Sequence, residues 1–400
     1  MGGMSVTIDP TSVRDLAAIR DDIGVLTVYA TADPRDKSAS PAWRLAVGHA
    51  LGAVRSRAAA GDGGKDRANA VLARLDRLQP EIESVLDSAE SGVGRALFAP
   101  VSTDEVHTLT VQMPLDDCAV LQSRPYLRPL AGALTLGAPA GVLAVSHEGV
   151  RVIDLRFGVA SEVTRLSFQL DTDDWRNMRA PAATGQAGSP SRGANAFDRF
   201  DRRVEDNLLR YLSSLRPRIG EIADEYGWRS VAVTGDARLI DAVRKGLASS
   251  PARRDVVLLD RVAESLSLTE IAALVRPELE EARRRRCRAL AEQARETTRS
   301  GGAGTTGLSD TLGAFRENRV AHLVLDGMRE LRGHRAPDGG YYPHGELPPG
   351  QSHDAMAEEP DLGERMIELG FTSGAEVTLL PPEAAAVLAE EDGVAALLRW

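Results

Sequence analysis

Helical patterns and short β-rich runs alternate along most of the chain. A β-rich run at 24–30 precedes a helical pattern at about 42–60, and a strand pattern at 230–234 precedes a helical one at 237–247. Near the end, a strand pattern at 376–380 is again flanked by helical ones. Such alternation is typical of α/β domains, in which helices cover a sheet. The sequence therefore predicts an α/β fold class, with a three-layer domain at the end of the chain.

The chain is too long for a single typical domain, since it has 400 residues and compact domains usually contain about 100–200. We predict three domains, at 1–138, 139–275 and 276–400. The middle domain contains a stretch at 176–195 that is rich in Gly, Pro, Ala and Ser and has no apolar period. A loop of this length inside a compact domain is usually functional or disordered. This loop is therefore the first candidate for a site.

The overall charge limits the kind of nucleic-acid binding that is possible. The formal charge is −10, from 48 basic and 58 acidic residues. Proteins that coat nucleic acid without specificity usually have a broadly positive surface. This chain can therefore bind RNA only through a local basic patch. Almost all of its basic residues are arginines, and guanidinium groups suit phosphate binding. The same preference for arginine over lysine can also reflect the base composition of the coding sequence.

An arginine-rich helical pattern at 196–215 follows the loop directly. At about 100° per residue, its apolar side chains fall on one side and its arginines on the other. The apolar residues are Phe200, Val204, Leu208, Tyr211 and Leu215. The basic residues in this pattern and just before it are Arg192, Arg199, Arg202, Arg203 and Arg210. Periodicity alone favours a solvated amphipathic helix with i,i+4 ion pairs, and a phosphate-binding face is the alternative.

A second basic run, at 283–288, lies in another helical pattern. We expect this helix to begin near Pro277, because proline fits the first turn of a helix. Consecutive residues spread around a helix, so these arginines do not share one face. Glu278, Glu280 and Glu281 precede the run and can neutralise it. RNA contact at this run stays open.

Several familiar catalytic and metal-binding patterns are incomplete. The Gly-rich stretch 61–66 lacks the first glycine of a Walker loop and has Asp66 where Ser or Thr must follow the lysine. The acidic run at 171–174 lacks the glycine and the final glutamate of a calcium loop. Cys118 and Cys287 are too few for a disulfide framework or a four-cysteine zinc site. None of these stretches predicts a site.

Three histidines lie in a polar insert at 333–359. His334, His344 and His353 supply imidazoles, which zinc binds readily. Their spacing matches no standard zinc site, however, and no cysteine is near them in the sequence. We therefore expect surface histidines here, with no metal site and no cofactor.

No segment has the pattern of a membrane or secretion signal. The first ten residues lack a basic start and an apolar core. The longest weakly polar stretch, at 131–145, is too short to span a bilayer. We expect a cytoplasmic protein that uses neither a membrane nor DNA.

Several stretches, in the order in which they occur, resemble one superfamily. The tail combines a Gly-rich turn with an apolar strand that ends in Leu398-Arg399-Trp400. The other similar stretches are 94–99, 125–130, 196–205, 231–236, 312–326 and 374–380. Together they resemble the archaeo-eukaryotic release factor and Pelota superfamily, and the N-terminal stretches resemble its bacterial members. The classical motif that reads stop codons is not displayed.

The resemblance implies a fold and a function. The middle domain would have the release-factor fold with a mixed sheet, and the last would be an L7Ae-like three-layer α/β sandwich. Relatives of the Pelota type rescue stalled ribosomes, and those of the Balon type occupy idle ones. The implied function is therefore ribosome binding at the A site, with the five arginines contacting ribosomal RNA. Peptidyl-tRNA and an elongation-factor GTPase are further implied partners.

The catalytic loop of the superfamily is altered in this chain. In release factors a Gly-Gly-Gln loop enters the peptidyl transferase centre and helps to position the attacking water. Counting back from Arg199-Phe200, the equivalent residues here are Gly193, Ala194 and Asn195. Asn195 offers a shorter amide, and Ala194 adds a Cβ where a glycine conformation is implied.

Three functions remain open from the sequence. The first is A-site binding during stalling or hibernation, without peptide release. The second is peptidyl-tRNA ester hydrolysis through the altered triplet, or through Gly185-Gln186 in another register. The third is a protein-interaction module that uses the last domain and has no ribosomal role.

Overall fold

A computed structural model describes residues 4–6, 10–32, 38, 41–61, 63–90, 92–168, 204–247, 254–348 and 350–400. The chain divides into two compact units. One comprises residues 1–137 together with 283–400, and the other comprises residues 138–282. Each unit contains both helices and sheets, which confirms the α/β fold class. The domain boundaries drawn from the sequence remain a proposal, since the N- and C-terminal segments pack into one unit.

The described helices and strands have the following bounds. The α-helices are α1 Pro10–Ala18, α2 Ala42–Ala59, α3 Lys65–Arg77, α4 Gln79–Leu86, α5 Arg128–Leu136, α6 204–214, α7 Arg216–Glu225, α8 Ala237–Leu247, α9 Leu268–Arg299, α10 Leu308–Arg316, α11 Leu362–Ser373 and α12 Pro382–Ala385. The strands are β1 Met4–Val6, β2 Val25–Thr31, β3 Gly94–Pro100, β4 His107–Val111, β5 Cys118–Gln122, β6 Ala140–Ser146, β7 Gly149–Arg156, β8 Val159–Ser167, β9 Ser230–Gly235, β10 Asp255–Asp260, β11 Gly304–Thr306, β12 Val320–Asp326, β13 Gly333–Arg335, β14 Tyr341–Pro343, β15 Ala357–Glu359, β16 Glu376–Leu380 and β17 Val394–Leu398. Short 3-10 helices span His353–Ala355 and Ala386–Glu391.

The N-terminal segment forms a five-stranded sheet in the order β1-β4-β3-β2-β5. Strand β2 is antiparallel to both of its neighbours, β3 and β5. Its alternate residues Leu26, Val28 and Ala30 pack against α2, α3 and α4 in one buried cluster. Because side chains alternate across a strand, Thr27 and Tyr29 point to the opposite face, where both are also buried.

The C-terminal segment forms a four-stranded sheet in the order β11-β17-β12-β16. The last part of α9 packs on it through Cys287, Ala291 and Ala294, together with Leu388. The polar insert predicted at 333–359 contains a second, three-stranded antiparallel sheet in the order β14-β13-β15. Its strands are three residues long, too short to show an apolar alternation in the sequence.

Buried carboxylates on one face of α11 join the N- and C-terminal segments. Glu364 is fully buried and accepts hydrogen bonds from the backbone N–H groups of Leu127 and Arg128. Glu368 lies one turn further along the same face. Its carboxylate pairs with three guanidinium groups, those of Arg20, Arg124 and Arg365.

The environment of Glu364 makes the stability of this unit depend on pH. Burial raises the pKa of Glu364 from 4.5 to about 7, although backbone hydrogen bonds act in the opposite direction. Between pH 4.5 and about pH 7, the folded chain therefore keeps a proton on Glu364 that the unfolded chain releases. The free energy of unfolding thus falls as the pH rises from about 4.5 to 7, by on the order of 3 kcal/mol.

We expect the Glu364→Gln variant to lose most of this pH dependence, because its amide does not titrate. Differential scanning calorimetry from pH 5 to pH 8 measures the effect as the change of the melting temperature with pH. The wild-type chain should melt at a lower temperature at pH 8 than at pH 5. An identical pH slope in the variant would show that Glu364 does not cause it.

The central unit contains a mixed five-stranded sheet in the order β10-β9-β6-β7-β8. Strands β10, β9 and β6 are parallel, and β6, β7 and β8 are antiparallel. Helices α6, α7 and α8 pack on one face, and the first part of α9 packs on the other. The mixed sheet that the resemblance implied for this segment is confirmed.

The long helix α9 corrects one sequence expectation. It begins at Leu268, and Pro277 lies inside it rather than in its first turn. Ser267 and Glu270 cap the helix reciprocally. The Ser267 side chain accepts from the Glu270 N–H, and the Glu270 carboxylate accepts from the Ser267 N–H and hydroxyl. This capping box, together with buried Ile271 and Val275, starts the helix two turns early.

Candidate functional site

The structure describes one of the residues predicted for the site. The residues Arg192, Gly193, Ala194, Asn195, Arg199, Arg202 and Arg203, and the alternative Gly185-Gln186, lie outside the described residues. Arg210 lies on α6 and is exposed. The placement of the altered triplet therefore stays a prediction, and the described site consists of the elements on either side of 169–203.

Two aromatic residues link the strand before segment 169–203 to the helix after it. Phe168 directly follows β8, and Tyr211 lies on α6. Their ring centroids are 5.4 Å apart, and the Tyr211 hydroxyl donates to the backbone oxygen of Ser167 at 2.8 Å. On the β8 side, the Phe168 N–H also donates to the Glu148 oxygen at 2.7 Å. We call these contacts the aromatic anchor.

Helix α6 is fixed to the sheet by the apolar side chains that the sequence pattern indicated. Leu208 and Leu212 are fully buried, and Tyr211 and Leu215 pack at the edge of the same cluster. Leu212 was not part of the predicted apolar set, but it lies one turn after Leu208 on the same side. The anchored helix thus holds the start of the described chain after 203 in a fixed position on the sheet.

Strand β8, which leads into the segment, needs a glycine opposite its end, at the start of its partner strand β7. Gly149 has φ +132°, and a Cβ there would lie 2.0 Å from the backbone oxygen of Leu166. This close approach pairs β7 with β8 and carries the chain to Phe168. The sequence predicted the turn at Glu148-Gly149 but not strand β8, whose side chains are mostly exposed.

Like the exposed Arg261 and Arg276 of the central unit, Arg210 has no acidic partner among the described residues. It forms no ion pair with any residue in the described part of the chain, whereas three neighbouring arginines on α7 and α8 are paired with acidic side chains. These pairs are Arg218–Glu221 at 3.2 Å, Arg238–Glu205 at 3.0 Å and Arg244–Asp241 at 2.9 Å. Burial also raises the pKa of Tyr211 above its ordinary value.

The remaining candidates give no second site of this kind. In the run 283–288, exposed and half-buried positions follow one another around α9, as expected for consecutive helical residues. In the Gly-rich stretch at 61–66, Lys65 and Asp66 begin α3, and Gly63 and Gly64 directly precede it. Burial raises the pKa of Cys118 to about 12, and Asp116 and Asp117 act in the same direction. A thiol with that pKa is a poor nucleophile.

Two groupings were missed by sequence reasoning. The aromatic anchor joins residues that are 43 positions apart, 211 − 168, so no local pattern reports it. The rings of His334, His344 and His353 also lie together, although their sequence spacing gave no reason to expect it.

Within the described residues, no helix has both the length and the apolar character that crossing a bilayer requires.

Comparison with known proteins relates the central segment to one family. Residues 139–258 match the family model described as "Bacterial archaeo-eukaryotic release factor family 5". No curated protein matches the sequence. The relationship to the release-factor superfamily that the sequence predicted is therefore confirmed for this segment.

Solved structures of low sequence identity are also similar to the chain. An archaeal translation termination factor is 14% identical, with 98% of this chain and 99% of that chain covered and a TM-score of 0.24. Dom34 of S. cerevisiae is 8% identical, with coverage of 74% and 72% and a TM-score of 0.37. Pelota of Archaeoglobus fulgidus is 13% identical, with coverage of 77% and 79% and a TM-score of 0.33.

Proposed function

We propose that this chain, a bacterial relative of the archaeo-eukaryotic release factors over residues 139–258, is a ribosome-binding translation factor. It occupies the A site of stalled or idle ribosomes, in a rescue or hibernation role. Its partners are ribosomal RNA and, through residues of the 169–203 segment, peptidyl-tRNA. An elongation-factor GTPase is proposed for delivery by analogy with the superfamily.

The aromatic anchor is the observation that supports this proposal most strongly. It links β8, which precedes the segment with the altered triplet and four of the five predicted arginines, to α6, which follows that segment. Segment 169–203 therefore starts and ends at elements that pack in one unit. This is what a factor that probes the peptidyl transferase centre requires.

The charge distribution supports RNA as the partner. The whole chain is acidic, at −10, yet Arg210 is exposed and lacks an acidic partner among the described residues. Guanidinium groups bind phosphate through two parallel hydrogen bonds. Arg210, together with Arg192, Arg199, Arg202 and Arg203, would form the local basic patch that such a chain needs for RNA.

The Tyr211→Ala variant tests the role of the anchor. It removes both the ring contact with Phe168 and the hydrogen bond to Ser167, so β8 and α6 lose this link. We expect ribosome affinity to fall at least tenfold, corresponding to about 1.4 kcal/mol, in a filter-binding or co-sedimentation titration.

Tyr226→Ala is a matched control in the same unit. Tyr226 also contacts an aromatic ring, that of Trp228 at 6.0 Å, but it lies at the end of α7 and not at the anchor. We expect this variant to keep wild-type affinity. Equal affinities of the two variants would remove the support that the anchor gives to the proposal.

Peptidyl-tRNA hydrolysis is the second candidate function. It is favoured by Asn195, whose amide replaces the glutamine amide of the catalytic loop. If the chain releases peptide, Asn195→Ala and Gly193→Ala should each abolish release while ribosome binding persists. Full release by both variants would exclude the triplet at 193–195 as the catalytic site.

A further inference from the structure

Strand β10 lies at one edge of the mixed sheet of the central unit. Among the described strands it pairs with β9 alone, in parallel register. Val256 packs on the face covered by α8, and Val257 is buried on the face covered by α9. Helices therefore cover both faces of the strand, and only its outer edge lacks a neighbour in the described part of the chain.

The residues along this edge are mostly apolar. The strand spans Asp255–Asp260 and contains four consecutive apolar residues between two acids. Leu258 is 47% exposed, and Val262, just after the strand, is 66% exposed. By contrast, β8 at the opposite edge carries the ion pair Arg165–Glu162, at 2.7 Å, and charged side chains usually protect an edge strand from pairing. An apolar edge such as that of β10 is a template for another strand.

The pairing with β9 determines which backbone groups point outward. The Asp255 N–H donates to the Arg229 oxygen at 3.2 Å, on the β9 side. Backbone groups of successive strand residues point to opposite sides of the strand. The N–H and C=O groups of Val256, Leu258 and Asp260 therefore point away from β9, where an added strand would meet them.

We propose that β10 pairs antiparallel with β10 of a second copy of this chain, on a two-fold axis through Leu258. In this register Asp255 of each copy faces Arg261 of the other, so one charge pair forms on each side of the axis. The outward backbone groups give about six hydrogen bonds between the copies. The remaining facing pairs are Val257 with Leu259 and Val256 with Asp260.

Charge complementarity favours both this register and a second copy as the partner. Arg261 is exposed and has no acidic partner among the described residues. Cross-strand pairs of opposite charge stabilise a sheet, and like charges directly opposite destabilise it. A shift by one residue would place Asp255 against Asp260 and would misalign the outward backbone groups. A shift by two would place Asp255 against Leu259, or Arg261 against Val257.

Sedimentation velocity of the full-length chain over a wide range of concentrations tests the proposal without ribosomes, so its result is independent of the proposed function. We expect a reversible monomer–dimer equilibrium. Arg261→Glu puts two acids opposite each other twice, and Asp255→Lys puts two basic groups opposite each other twice. Each variant alone should therefore dimerise at least about tenfold more weakly than the wild-type chain. An equimolar mixture of the two should dimerise again, because both facing pairs then join opposite charges.

Arg276→Glu serves as the control. Arg276 is also exposed and has no acidic partner among the described residues, but it lies on α9 and not on β10. This variant should dimerise as the wild-type chain does. Leu258→Lys places two ammonium groups at the axis and should abolish dimerisation. Because Leu258 and Arg261 are exposed, their variants keep the test valid even if Asp255→Lys folds poorly.

Two results would overturn the proposal. The first is a wild-type chain that stays monomeric at every concentration, which would leave the edge of β10 to a different partner. The second is a dimer that Arg261→Glu and Leu258→Lys weaken no more than Arg276→Glu does, since such a dimer would form through another surface.

Discussion

Replacing Glu368 by Gln should destabilise the N- and C-terminal unit by about 3–5 kcal/mol, the usual cost of removing one partner from a buried ion pair. Glu368 is 2% exposed, and its carboxylate is shared by Arg20, Arg124 and Arg365. A neutral amide keeps the shape of the side chain but removes the carboxylate that Arg20 and Arg124 share, and leaves Arg365 with only the longer Glu359 contact at 3.9 Å. Arg365 is itself buried, so water cannot replace the lost partner.

Calorimetry measures this loss as a lower melting temperature for the unit. For a unit of this size, each kcal/mol corresponds to about 2–4 °C. Glu364→Gln is a matched control, since it changes the same residue type on the same helix face. Glu364 contacts backbone N–H groups instead of three arginines, so its variant should melt much closer to wild type at pH 8. Equal shifts for both variants would contradict the role assigned to Glu368.

Replacing five arginines by Ala should abolish stable ribosome binding. The residues are Arg192, Arg199, Arg202, Arg203 and Arg210. If each contacts one phosphate, the affinity of the wild-type chain should fall about 100- to 500-fold between 50 and 200 mM salt, because bound cations are released from the RNA. The variant should lose both most of the affinity and this salt dependence.

The control uses arginines of the same unit that already have acidic partners. Arg218, Arg238 and Arg244 are exposed but paired, so their replacement by Ala should change ribosome affinity little. Co-sedimentation at several salt concentrations measures both sets. If the two variants bind equally, ribosome binding does not depend on the arginines of the 192–210 region.

Elements with a clear local signal were predicted closely from the sequence. Helix α8 and strand β16 have the predicted bounds, because each combines a regular apolar pattern with flanking turn residues. Strand β8 was missed because its side chains are mostly exposed and show no apolar alternation. The start of α9 was misplaced because proline was taken as a first-turn residue, while the capping residues Ser267 and Glu270 set the actual start.

The site shows the same division between local and long-range signals. The basic helix could be recognised from periodicity, and the exposure of Arg210 and the burial of Leu208 agree with it. The aromatic anchor could not be recognised, because it depends on the packing of α6 beside the end of β8, which no local sequence pattern reports. The histidine cluster likewise depends on the register of three short strands that have no sequence pattern.

Co-sedimentation of the purified chain with 70S ribosomes tests the central claim most directly. Vacant ribosomes and ribosomes carrying peptidyl-tRNA are compared, and peptide release is scored in the same tubes. The proposed rescue or hibernation role predicts binding without release. Binding with release would instead establish hydrolysis. Failure to bind either kind of ribosome would contradict the account and favour an interaction module without a ribosomal role.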